Sequence, residues 1–90
     1  MKTILAIYAA VLAATPALAF SYATRTWGDE SCRLFRMGYG LEQGIKVAGD
    51  NVGTSIVLAA DTDRNSPNRI GKYVMQACLA DAMAAYDRDR

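Results

Sequence analysis

Apolar positions recur at spacings of three and four in two long stretches of this 90-residue chain. That is the period of a helix with one side turned to a core. The first stretch predicts a helix over Glu30–Val47 (ESCRLFRMGYGLEQGIKV). Leu34, Met37, Gly38, Leu41, Ile45 and Ala48 share one stripe, and Cys32, Phe35 and Tyr39 fall on a second side. Two apolar sides imply more than one neighbour. Asp29 stands where an N-cap belongs, with Glu30 favourably placed in the first turn, and Gly49 stands where a left-handed C-cap belongs. The second stretch predicts a helix over Pro67–Tyr86, opened by Ser66 as cap and Pro67 at the first helical position. Its stripe is Ile70, Tyr73, Val74, Ala77, Cys78, Ala82 and Ala85. Between the two lies Val52–Ala60. Ile56-Val57-Leu58 suits a strand, but no partner strand is evident, and a two-turn helix begun at Thr54 or Ser55 is the expectation. Phe20–Thr26 reads as a loose extended lead-in, Gly28-Asp29 as a turn, Asp61–Asn65 as a surface loop, and Asp87–Arg90 as a fraying tail. The pattern predicts an all-α protein: a small helical domain of two main helices plus a short middle element.

Residues 1–19 read differently from the rest. Lys2 precedes an apolar run, Ile4–Ala14, broken by Thr15-Pro16 and followed by Ala17-Leu18-Ala19. That is the pattern of a secretory signal peptide, with cleavage expected before Phe20. Residues 20–90 then form a single small domain, periplasmic or secreted, with no membrane association after cleavage. Domains of this size are marginal unless stapled. Two cysteines in an oxidising compartment imply a disulfide, and Cys32–Cys78 is the one pairing a monomer allows. An intermolecular bond or two free thiols are the other arrangements the sequence leaves open.

Loss of Lys2 changes the charge. The ten Lys+Arg and nine Asp+Glu of the whole chain become a balance of nine and nine. With no basic face, a nucleic-acid partner is not expected. The chain has no histidine, so carboxylates are the main groups to titrate below neutrality. Full protonation would carry the balanced side chains to a strongly positive state.

Absence of histidine also removes the usual base of a nucleophilic triad, and no pair of carboxylates is placed around a cleft. No enzyme activity and no cofactor are expected. Asp61-x-Asp63-x-Asn65 opens like a calcium loop, but Ser66 replaces the turn glycine and Lys72 the closing glutamate, so no metal is expected. Gly40-x-x-x-Gly44 is a small-residue pattern that suits close helix contact. It fits internal packing against the alanines of the second helix, or a homodimer interface to which Trp27, Phe35 and Tyr39 contribute. Tyr22 could join that surface.

Two resemblances bear on function. Trp27, Cys32-x-x-Phe35 and the run Ile70-Gly71-Lys72-Tyr73-Val74-Met75-Gln76-Ala77-Cys78 are similar to the HdeA/HdeB family of periplasmic acid-stress chaperones. That resemblance implies an all-helical homodimer that loosens in acid and holds unfolding clients in solution. Cys32 and Cys78 are the positions that carry over. Gly40-Leu41-x-x-Gly44-Ile45-x-x-Ala48 is similar to the glycine-rich helix of the Rap1a/Tai immunity family, which usually carries more cysteines. It implies a small inhibitor of one toxin or hydrolase. Both readings make other proteins the partners.

Overall fold

A computed structural model describes residues 20–62 and 69–90. These residues form five helices and no strand: α1 (Tyr22–Arg36), α2 (Leu41–Val52), α3 (Thr54–Asp61), α4 (Arg69–Ala77) and α5 (Leu79–Arg88). Cys32 and Cys78 are joined by a disulfide with their Cα atoms 6.1 Å apart. The fold is thus all-helical and stapled once. Each of the two expected long helices, however, is divided into two.

The chain enters α1 earlier than the sequence suggested. Ser21, not Asp29, is the N-cap, and its Oγ accepts from the Thr24 N–H at 3.1 Å. Phe20, just before the cap, is buried; its ring stands edge-on to Tyr73 with centroids 5.3 Å apart, and the Arg69 guanidinium lies 4.8 Å from its centroid. The lead-in is therefore anchored rather than loose. Gly28-Asp29 is helical for a packing reason. A Cβ at Gly28 would run into the ring of Tyr73, so glycine here lets α4 close on α1.

Helix α1 stops at Arg36 because Gly38 takes φ +105°, a left-handed conformation that glycine adopts without steric cost. Gly40 then caps α2 from an extended conformation. The continuous helix over Glu30–Val47 is corrected to two helices joined by a glycine turn. Gly49 is likewise not a cap but lies inside α2, buried close to Trp27 and Val57. Gly53, at φ +101°, ends α2 and begins α3. The middle element is helical from Thr54, as the absence of a partner strand implied.

The second long helix breaks at Cys78 (φ −148°, ψ 58°). Its expected start at Ser66-Pro67 lies outside the described residues, as do Asp63 and Asn65 of the loop; Asp61 is the last residue of α3. At the other end the tail is tied down rather than frayed. Arg88 Nη1 donates to Phe35 O (2.9 Å), in the last turn of α1, and to Tyr39 O (3.0 Å), in the turn that follows.

Helix α1 packs on each of the other four helices and forms the spine of the core. Phe35, Cys32, Val74, Cys78, Ala82 and Ala85 make its centre, with Leu41 and Ile45 of α2 half-buried against it. The alanines bring α5 close, and Gly44 accommodates the Phe35 ring: a Cβ there would come within 2.6 Å of it. Phe35 is 1 % exposed. Its replacement by alanine should cost about 3–5 kcal/mol, read as a shift in the urea-unfolding free energy. A loss below about 1 kcal/mol would mean that the ring is not central to the core.

Candidate functional site

What the fold brings together is a set of carboxylates that fasten one helix to the next. On α1, consecutive Asp29 and Glu30 diverge to different neighbours. Asp29 Oδ1 accepts from the Tyr73 hydroxyl of α4 at 2.5 Å. Glu30 accepts from Asn51 Nδ2 of α2 at 2.8 Å, and from Arg33 of its own helix through two bonds of 2.7 Å. One turn further, Arg36 Nε donates to Asp81 Oδ2 of α5 at 3.0 Å. Asp89, at the end of α5, accepts from the Glu42 N–H of α2 at 3.1 Å, satisfying a first-turn donor of that helix. Every helix except α3 is thus held to another by a carboxylate.

Two side chains in this set are electrostatically perturbed. The Arg33 guanidinium, and more weakly Asn51, hold the Glu30 carboxyl down at about 2 against the opposing effect of burial. Burial first, and then the Asp29 hydrogen bond, push the Tyr73 phenol up to about 12. A phenol so placed keeps its proton at neutral pH and serves as a fixed donor, not as an acid or base.

Beside the clasps lies apolar surface. An open, mainly apolar groove of about 410 Å3 runs between α2 and α4, lined by Leu41, Ile45, Gly71, Val74 and Met75 with Lys72 and Gln76. Met75 leads onto Leu79, Met83 and Tyr86, spaced four, four and three, each 46–56 % exposed. A second groove of about 390 Å3 lies between Trp27 and the ends of α2 and α3.

The residues the sequence nominated for an interface are dispersed among these features. Trp27 is half-buried, and its Nε1 donates to Ile45 O at 2.8 Å, tying α1 to α2. Phe35 is in the core and Gly44 lies under its ring, so neither offers surface. Tyr39 is half-buried and presents its carbonyl to Arg88. Gly40 faces the Asp89 carboxylate. The internal partners of the glycine pair are thus Phe35 and Asp89, not the alanines of α5. Tyr22 is 71 % exposed. Cys32 and Cys78 form the disulfide. The clasps themselves join residues 21 to 47 positions apart, a pairing that periodicity along the chain does not reveal.

Among the described residues no group of His, Cys, Asp and Glu is arranged to hold a metal ion, and no helix is long and apolar enough to cross a membrane. Comparison with known families, curated proteins and solved structures gives no match to this chain.

Glu30 makes the acid response testable. Its folded pKa lies below its ordinary 4.5, so its stabilising effect is fully present above that value and fades as pH falls towards about 2. Tyr73 has the opposite sign: its effect is present below its ordinary 10.0 and is lost as pH rises through about 12. Glu30→Gln should lower the melting temperature at pH 7 and flatten its decline between pH 4.5 and pH 2 relative to the parent. Parallel declines in melting temperature would remove Glu30 from the acid response.

Proposed function

We propose that this protein is an exported acid-stress chaperone that loosens at low pH and keeps unfolding proteins in solution. The observation that carries this reading is the fastening of α1, α2, α4 and α5 to one another through Asp29, Glu30, Asp81 and Asp89. Protonation removes the anionic acceptor from each clasp. It also leaves the cationic side chains of the mature chain to repel one another without compensation. Hydrogen bonds to charged groups are among the stronger ones, and here several fail in the same direction. Release of α4 from α1 would widen the groove over Leu41, Ile45 and Val74, continuous with the exposed Met75. Methionine adapts its shape to varied apolar partners, which suits a surface that must accept many clients. The disulfide limits how far the loosened helices separate.

Export to the periplasm, homodimer formation at neutral pH and client binding in acid are all part of this proposal, which follows the resemblance to the HdeA/HdeB family. The single-target inhibitor reading rests on the Gly40–Ala48 pattern. Since Gly40 faces the Asp89 carboxylate and Gly44 is covered by Phe35, that pattern has an internal packing reason, and the acid reading is the better supported.

The test is light scattering of an aggregation-prone periplasmic extract at about pH 2–3 and at pH 7, with and without the oxidised mature protein; the lower pH lies below ordinary carboxylate pKa values. Suppression of scattering in acid alone is expected. No suppression at either pH, or equal suppression at both, would reject the proposal.

A further inference from the structure

The second long helix has no local reason to end where it does. No glycine or proline occurs between Lys72 and Arg88, and Gln76-Ala77 and Leu79-Ala80, on either side of the break, favour helix. Helix α5 begins without a side-chain cap. The apolar stripe Val74, Cys78, Ala82, Ala85 runs through the junction without losing its period. The backbone is also nearly helical there. Cys78 N–H donates to Val74 O at 2.9 Å and Cys78 O accepts from Ala82 N–H at 2.8 Å, both in the register of an unbroken helix. Only Cys78 departs, and Cys78 is the residue tethered to Cys32 of α1.

We propose that the Cys32–Cys78 disulfide is what divides α4 from α5, and that its reduction joins them into one continuous helix. The reaction needs a dithiol reductant. The reductant supplies two electrons and two protons, the S–S bond breaks into two thiols, and the reductant leaves as its own disulfide. Cys32 and Cys78 are 3 % and 7 % exposed, so exchange proceeds through an opened form of the chain and the bend persists in the folded oxidised protein. Straightening has a consequence at the far end. Helix α4 is fixed on α1 by Tyr73 and Asp29, while the bend is what lets Arg88 reach Phe35 and Tyr39, and Asp89 reach the N–H of Glu42. A straight helix held at Tyr73 carries Arg88 and Asp89 away from these groups. The disulfide is thereby a redox-sensitive device that sets whether the C-terminal end of α5 is docked. It shares the Asp89–Glu42 contact with the acid response proposed above, but releases it by reduction rather than by proton uptake.

Residue-resolved amide exchange on the mature chain tests this, comparing the oxidised protein with the reduced protein and with C32A/C78A. In the reduced forms, exchange at Leu79, Ala80 and Asp81 should slow by about tenfold, as their N–H groups gain helical acceptors in α4, while the Glu42 amide should quicken by a similar factor. Unchanged exchange at Leu79–Asp81 would show that packing, not the disulfide, makes the break, and would overturn the proposal. If the reduced chain unfolds, the measurement is repeated in sucrose, which favours compact states. Helical Cα chemical shifts through Cys78 are then expected, and non-helical shifts at residues 77–81 would overturn it equally.

Discussion

The Cys32–Cys78 bond joins the middle of α1 to the junction of α4 and α5 across 46 residues of chain. In the chain-entropy account, closing a loop of that size stabilises the folded state by about 4 kcal/mol. A small helical domain typically has only about 5–15 kcal/mol in total. The core supports that proportion. Apart from Phe35, Phe20, Leu34, Tyr73 and Val74, its buried apolar side chains are alanines and the disulfide itself, and alanine buries little surface. The tether brings the two halves of the chain together, and the small side chains let them touch closely enough for polar groups to act across the gap.

Those polar groups form the second level of the structure. Trp27 to Ile45 O, Tyr73 to Asp29, Arg36 to Asp81, and Arg88 to the carbonyls of Phe35 and Tyr39 each connect segments that the core alone would leave free to slide. Most of these contacts are partly exposed, where single ion pairs contribute little. Two of them, Tyr73 to Asp29 and Arg36 to Asp81, end on carboxylates. Carboxylate clasps depend on a negative acceptor, as Glu30 does in its bonds to Arg33 and Asn51, whereas the Trp27 bond and the disulfide do not. A structure with both kinds of link can loosen without coming apart.

Much of the architecture was legible from residue pattern: the helical class, the buried stripe Tyr73, Val74, Cys78, Ala82 and Ala85, the short middle helix at Thr54 and the cysteine pairing; on the first stripe Met37 is 62 % exposed, in the turn after α1. Where the reading departed from the structure, the causes are specific. Gly38 and Gly53 carry the positive φ angles, and nothing local distinguishes them from Gly44 and Gly49, which lie inside α2 with a ring or an indole against them. Phe20 looked like part of a loose terminus because its partners, Tyr73 and Arg69, lie far along the chain. The break at Cys78 has no propensity signal. The clasps pair carboxylates with donors distant in sequence, so the charged positions were visible but their pairing was not.

In the proposed acid response, proton uptake by the helix-joining carboxylates releases tertiary packing while the disulfide keeps the chain together. Near-ultraviolet circular dichroism of Trp27 and the tyrosines, followed from pH 7 to pH 2 with far-ultraviolet helicity on the same samples, tests it most directly. Loss of the near-ultraviolet signal by pH 2 is expected, with a substantial part of the helical signal retained. A near-ultraviolet spectrum unchanged down to pH 2 would contradict it.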